Sequence, residues 1–329
     1  MDFSELSRLA SGHVEARIIQ CAVRLGIFDA LSERAQDSRT VATTLRVEPA
    51  ATELLMNALA ALELLEKNGE LFSLTPVAAT HLVRRSPQYL GGMILFDASL
   101  WRCWEQLPEA VRTGKPVRPP NMYQDNQAET ETFINAMDSL VKARGDVDVL
   151  ARSFDWHAVS TLLDVGSGPG TYPIELCRRF PLLQATIFDL PGTLQITKPY
   201  VHEASLAERI RLVSGNYRHD SIPGTYDVIF LCNIIHGESY DENQRLMAKL
   251  YSNLRPGGRI IIKDHILDHT RVTPPVGAVF SLLMLLTTES GRCYAFEEVK
   301  RWLQQAGFSD AQQIALPRPL TSSLVIGTK

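Results

Sequence analysis

The sequence has 329 residues, about twice the length of an average domain, so two domains are expected. It is 45% hydrophobic and 21% charged, with 20 Gly and 18 Pro, a composition that excludes disordered and fibrous classes. Lys and Arg total 33 against 37 Asp and Glu, and the net charge of -4 is spread without a basic block, so nucleic acid is not an expected partner.

From Val14 to Leu31, apolar Val14, Ile18, Cys21, Ala22, Leu25 and Phe28 recur at three-to-four spacing and predict an amphipathic helix. Ser38 to Leu45 predicts a second helix. A third starts at Pro49, whose fixed φ suits a first helical position, with Leu55, Leu59, Leu62 and Leu65 as its stripe. Asn68-Gly69, between Leu64-Leu65 and Leu71-Phe72-Ser73-Leu74, predicts a tight hairpin. Three helices and a hairpin make a winged helix. Residues 49 to 66, where a recognition helix would lie, carry Glu53, Glu63 and Glu66 and no Lys or Arg, so the cations that phosphate contacts need are missing. The module reads as a packing or dimerisation element.

Residues 87 to 150 continue as mostly helical sequence, with apolar or aromatic Tyr89, Met93, Phe96, Trp101, Trp104, Phe133, Met137 and Leu140. Thr113 to Asn126, with Pro116, Pro119 and Pro120, reads as a loop between two helical parts. From Ser160 the pattern changes. Residues 161 to 165, 185 to 189, 211 to 213, 227 to 231 and 259 to 264 are short apolar runs separated by helical stretches, which predicts a parallel sheet covered on both faces. After a helix around Phe296 to Ala306, the runs Ala311 to Leu316 and Ser322 to Gly327 read as an antiparallel pair closing one edge.

The five cysteines, Cys21, Cys103, Cys177, Cys232 and Cys293, are odd in number and far apart, which fits a reducing compartment. The first twenty residues carry acids and no apolar h-region, and the longest apolar run, Ala278 to Leu286, is far short of a membrane span. A cytoplasmic protein without a membrane partner is expected.

The most informative stretch is LLDVGSGPGTYPIELC, residues 162 to 177. A buried strand ends in Gly166-Ser167-Gly168-Pro169-Gly170 and a helix follows, which places a ligand at the carboxyl end of the first strand of the sheet. Glycines let the cofactor approach the backbone, where a Cβ would block it. The spacing is G-x-G-x-G, whereas the dinucleotide fingerprint is G-x-G-x-x-G, and position 171 is Thr where the nicotinamide pattern wants Gly or Ala. Asp189 ends the next strand, 19 residues after Gly170, placed to accept both hydroxyls of a ribose. The Asp164-containing strand end, the Gly215-Asn216 corner and the antiparallel last hairpin favour a sulfonium cofactor over a nicotinamide.

These segments, together with IFDLP (187 to 191), SGNY (214 to 217), NIIH (233 to 236), LRPGGRIIIKD (254 to 264) and AGF (306 to 308), resemble the S-adenosylmethionine-dependent O-methyltransferases of the caffeate and hydroxyindole (acetylserotonin) type. The resemblance covers nearly the whole chain. It implies an α/β fold: a Rossmann-like class I methyltransferase sheet with an antiparallel last strand, preceded by a mainly helical winged-helix domain that forms a homodimer. The implied division is 1–105 for dimerisation, 106–150 as a helical linker lining the substrate site, and 151–329 for catalysis. By the same resemblance Asp164, Gly166, Gly168, Asp189, Leu190, Gly215, Asn216, Tyr217 and Asn233 hold the cofactor. Gly166 and Gly168 border its methionine moiety, Asp189 its ribose and the 215–217 corner its adenine. Relatives commonly carry Asp in that corner, and Asn216 can still accept from the adenine amino group through its carbonyl oxygen.

Methyl transfer from a sulfonium is an in-line displacement that needs help removing the acceptor's proton. A phenol has a pKa of ~10, so a base that titrates near neutrality is useful. His236, after the strand DVIFLCNIIH, matches the family's base, and Asp264, at the end of IIIKD, stands where relatives place a glutamate that orients it. A second glutamate is replaced by Cys293, beside Tyr294; an acidic residue that often follows the base is Gly237 here; and the substrate-facing Asn of hydroxyindole relatives aligns with Leu283. Phe96, Trp101, Met137, Leu283, Met284 and Thr287 are the candidate lining of a fairly apolar acceptor pocket, with plain core as the alternative for each. Two functions fit: O-methylation of a hydroxylated, aromatic small molecule, or a family member with divergent chemistry (C-methylation, hydroxylation, decarboxylation) or cofactor binding alone. A nicotinamide oxidoreductase lacks its sixth-position glycine. His265 and His269 are spaced i, i+4 without an H-E-x-x-H context, and no metal is expected.

Overall fold

The computed structural model describes residues 1–120 and 126–329, and the chain divides into two compact units. One comprises Met1–Trp101 with Asn135–Arg144, the other Arg102–Ile134 with Gly145–Lys329. Part of the loop read over Thr113 to Asn126, residues 121–125, lies outside the described residues.

In the first unit the opening helix runs over Phe3–Leu25, so it starts well before Val14. Asp2 and Glu5 form a reciprocal cap, each side chain accepting from the other's backbone N–H at 2.8 and 2.9 Å, which sets the start without any apolar stripe. The helix stops at Gly26, whose φ of 84° breaks the run expected to reach Leu31 and begins a short helix, Ile27–Ala30. Helix Ser38–Leu45 follows as expected, and the next starts at Pro49 but ends at Ala61, so Leu62 caps it and Leu65, read as part of its stripe, opens a strand instead. β2 (Leu65–Asn68) and β3 (Leu71–Leu74) form the hairpin, and a two-residue strand, β1 (Gln36–Asp37), joins β3 on its other side. Val23, Phe28, Val41, Met56, Leu59, Leu65 and Phe72 close this core.

The second unit is built on β4 (Thr161–Val165), β5 (Gln184–Asp189), β6 (Ile210–Ser214), β7 (Tyr226–Cys232), β8 (Leu254–Asp264), β9 (Ser309–Ala315) and β10 (Ser323–Thr328). Their spatial order is β6-β5-β4-β7-β8-β10-β9. The first five in that order run parallel, and β10 is antiparallel to both of its neighbours. The terminal pair thus closes the edge with β9 outermost. Leu162, Leu163, Ile187, Ile229, Phe230, Ile260, Ile261 and Ile262 are fully buried, as strands covered on both faces require. The carboxyl ends of β4, β5, β7 and β8 carry Asp164, Asp189, Asn233 and Asp264 toward one rim of the sheet, where ligands of such folds bind. Among the described residues no helix is long and apolar enough to cross a membrane.

Candidate active site

The loop after β4 has φ of 67° at Gly166, 60° at Gly168 and 77° at Gly170, a left-handed run that side chains resist. A Cβ on Gly166 would stand 2.4 Å from Ile234 Cδ1. Gly166→Ala is therefore expected to weaken S-adenosylhomocysteine binding at least tenfold and to lower the unfolding midpoint, which calorimetry of both quantities checks.

Two carboxylates frame this loop. Asp189 Oδ2 accepts the Gly168 N–H at 2.8 Å and Oδ1 accepts that of Leu190 at 2.7 Å, which leaves lone pairs for further donors. Asp164 Oδ2 accepts from the Ser167 hydroxyl at 2.6 Å, while Oδ1 is buried without a hydrogen-bond partner among the described residues. Burial pushes Asp164 up to about 7 and Asp189 up to about 6. A ligand bringing positive charge and hydroxyl donors suits this pair, so the residues present fit a sulfonium nucleoside.

The sign of the pH effect follows. Between about pH 4 and 7 the folded chain keeps protons on these carboxyls that the unfolded chain has lost, so stability without ligand falls as pH rises through that window. A cationic ligand favours the ionised carboxylates and binds more tightly over the same rise. S-adenosylmethionine should accordingly raise the unfolding midpoint more at about pH 8 than at about pH 5.5, read by thermal shift; equal shifts would count against a role for both carboxyls in binding.

The corner after β6 is tied down on several sides. Gly215 N–H donates to Asp189 O at 3.0 Å, and a Cβ there would meet the Phe188 ring at 2.4 Å. Asn216 spends its carbonyl oxygen on the Arg218 N–H at 2.9 Å, leaving one lone pair of that oxygen for an adenine. The Tyr217 hydroxyl donates to Glu238 Oε1 at 2.6 Å, and Arg218 also binds that carboxylate at 2.9 Å. Asn233 holds a φ of 57°, with its N–H on Lys263 O at 2.9 Å.

His236 sits in the 3-10 turn Ile235–Gly237 that follows β7. Its Nδ1 lies 2.8 Å from Asp264 Oδ1, with His236 9% and Asp264 1% exposed. The same oxygen accepts the His265 N–H at 2.7 Å. Burial alone would raise Asp264, but His236 and His265 outweigh it and hold the carboxyl below its usual range. An ionised Asp264 can only accept here, which pairs it with the tautomer that carries its proton on Nδ1 and leaves Nε2 without one. Cys293 is buried and its thiol is pushed up to about 12 by burial, so it stands beside the pair as a neutral group. Tyr294 turns inward, its hydroxyl on Glu238 O at 2.6 Å and its ring 4.7 Å from that of Trp302.

The acceptor-lining candidates fall in both units. In the first, Phe96 is buried, Met137 is half-buried, and Trp101 donates its indole N–H to Gln20 Oε1 at 2.8 Å beneath the Arg17 guanidinium. In the second, the helix Pro275–Thr287 carries half-buried Leu283, buried Met284 and Thr287, whose hydroxyl bonds back to Leu283 O at 2.7 Å. Sequence reasoning missed Glu238, whose only signal was its place two residues after His236, and Phe280, whose ring lies against that histidine. Among the described residues no cluster of three or more His, Cys, Asp or Glu could hold a metal.

Residues 7–84 match the O-methyltransferase dimerisation domain and residues 104–309 the O-methyltransferase domain. The chain belongs to the O-methyltransferase family. It is an S-adenosylmethionine-dependent enzyme with an α/β methyltransferase fold and a dimerisation domain. It is 32% identical to the tetracenomycin polyketide synthesis 8-O-methyl transferase of Streptomyces glaucescens, over 99% of this chain and 96% of the other. It is 31% identical to 3-hydroxy-5-methyl-1-naphthoate 3-O-methyltransferase of Streptomyces sahachiroi, over 98% and 94%. Human N-acetylserotonin methyltransferase in complex with S-adenosylmethionine superposes with a TM-score of 0.90 at 26% identity, over 100% of this enzyme and 98% of that chain.

Proposed function

We propose that this enzyme methylates a hydroxyl of an aromatic small molecule, with His236 as general base and Asp264 as the group that orients it. The observation that carries the reading is the buried His236 Nδ1 to Asp264 Oδ1 contact of 2.8 Å at the rim where the glycine loop opens. The bound cofactor supplies a methyl group made electrophilic by its sulfonium. In this reading Gly166 and Gly168 let it lie on the backbone, Asp189 and Leu190 hold its ribose, Asp164 faces its positive end, and Gly215, Asn216, Tyr217 and Asn233 border its adenine side. His236 Nε2 accepts the acceptor's hydroxyl proton as the oxygen is alkylated, and Asp264 stabilises the imidazolium that forms. Holding oxygen and methyl collinear supplies much of the remaining rate. The relatives named for a polyketide, a naphthoate and N-acetylserotonin point to a fused aromatic acceptor, and the apolar Leu283 and Met284 suit one. The enzyme acts as a cytoplasmic homodimer, without nucleic acid or membrane as partner, with residues 1–105 for dimerisation, 106–150 facing the acceptor and 151–329 catalytic.

The test offers hydroxynaphthoates, hydroxyindoles and the matching amino compounds with methyl-labelled S-adenosylmethionine, and locates the label by mass spectrometry. Label on oxygen of hydroxylated members is expected. Label confined to nitrogen or carbon would overturn the reading.

A further inference from the structure

Among the described residues the only hydrogen bond made by the His236 side chain is the one at Nδ1, which sets its distance to Asp264 and leaves the rest of the side-chain torsion to packing. Cys293, where the family resemblance implies a second carboxylate, brings no charge, because burial pushes its thiol up to about 12. What lies against the imidazole instead is Phe280, its ring centroid 4.9 Å away and its plane at 79°. The same phenyl ring meets His265 at 5.0 Å and 55°. His265 is itself held, its Nδ1 bonded to Thr321 O at 3.1 Å and its backbone N–H to Asp264. One carboxylate and one phenyl ring therefore each touch both histidines.

Phe280 is half-buried. It packs against Leu267, Cys293 and Ala295. Its helix lies close on the segment that follows β8, since a Cβ on Gly277 would come within 2.8 Å of Leu267 Cδ2. Ser281, the next residue, donates its hydroxyl to Gly277 O at 2.9 Å and accepts the Cys293 N–H at 3.1 Å. An edge-to-face aromatic contact has a preferred orientation, so it directs a ring without placing another negative charge beside it.

We propose that Phe280 is a positioning residue for His236, an aromatic wall that fixes the imidazole plane where a second carboxylate is missing. The inference rests on the base assignment above. Its test records the imidazole nitrogen signals of His236 by NMR in the full-length protein loaded with S-adenosylhomocysteine, with His236→Gln to identify them. In Phe280→Leu these signals are expected to shift and broaden while S-adenosylhomocysteine affinity stays within twofold. Methyl transfer to the mixed acceptor panel should fall about tenfold, with the KM for S-adenosylmethionine unchanged. Phe280→Tyr, which keeps the ring, should restore both. Unchanged His236 signals in Phe280→Leu, or no recovery in Phe280→Tyr, would overturn the proposal, as would a cofactor affinity lost in step with the rate. Failure of the base assignment is read separately, as a wild-type rate in His236→Gln.

Discussion

Replacing His236 by Gln is expected to slow methyl transfer on the order of 100- to 10,000-fold while S-adenosylhomocysteine binds as it does to the wild type. The glutamine fills a similar space but accepts no proton at working pH, so the loss falls on the chemical step and not on the cofactor. Asp264→Asn should cost less, because an amide oxygen still accepts from Nδ1 although it no longer stabilises the imidazolium that forms. Asp264 lies 2.8 Å from that nitrogen and is held ionised by its two histidine neighbours, so both of its contributions are present in the wild type. Initial rates with labelled cofactor, paired with calorimetric binding of S-adenosylhomocysteine, separate the two steps. An unchanged rate in His236→Gln would mean that another group takes the proton or that the acceptor arrives already ionised.

Lys263→Met is expected to destabilise the protein by about 3–5 kcal/mol. Lys263 and Asp146 are both 0% exposed and approach to 2.8 Å. The approach is too oblique for a hydrogen bond, so the contact is carried by charge. The Tyr172 hydroxyl donates to the same Asp146 oxygen at 2.9 Å, joining the helix after the glycine loop to the pair. Removing the cation leaves a buried carboxylate without its counter-charge, which costs far more than an exposed ion pair would. The double variant Lys263→Met with Asp146→Leu should regain most of the loss, because two apolar groups of similar volume replace the pair. Thermal unfolding checks this, with a drop on the order of 10 °C for the single variant and a smaller one for the double. Equal drops in both would show that the loss comes from packing.

The strands were legible because a sheet covered on both faces leaves unbroken apolar runs, and the TLLDV run coincides with β4 over residues 161 to 165. The part of the opening helix before Val14 was not, since Phe3, Leu6 and Leu9 are exposed and give no core stripe, although Asp2 and Glu5 carried a capping signal. The Asp146 partner of Lys263 was hidden for a different reason. Which acid meets a lysine within a strand depends on how a distant helix docks, and neither residue's neighbours record that. The same limit applied around the base. The resemblance put Asp264 beside His236, but nothing in the sequence pointed to Phe280 on the following helix, which the structure brings to the imidazole. Helical spacing says which residues share a face, and only tertiary packing decides how far that face is turned.

The insertion of β10 between β8 and β9 ties one rim of the site to the far end of the sheet's edge. Asp264 ends β8, and the neighbour paired with it across that edge is Ser323, in β10. Lys329 then latches the other end of the same edge, exchanging backbone bonds with Gly257 and Gly258 at 2.9 Å each. Without that pairing β8 would keep β7 on one side and present an open edge on the other, with Asp264 at its end. Fraying at that edge would therefore reach Asp264 before it reached the glycine loop after β4, from which β7 and β8 separate it.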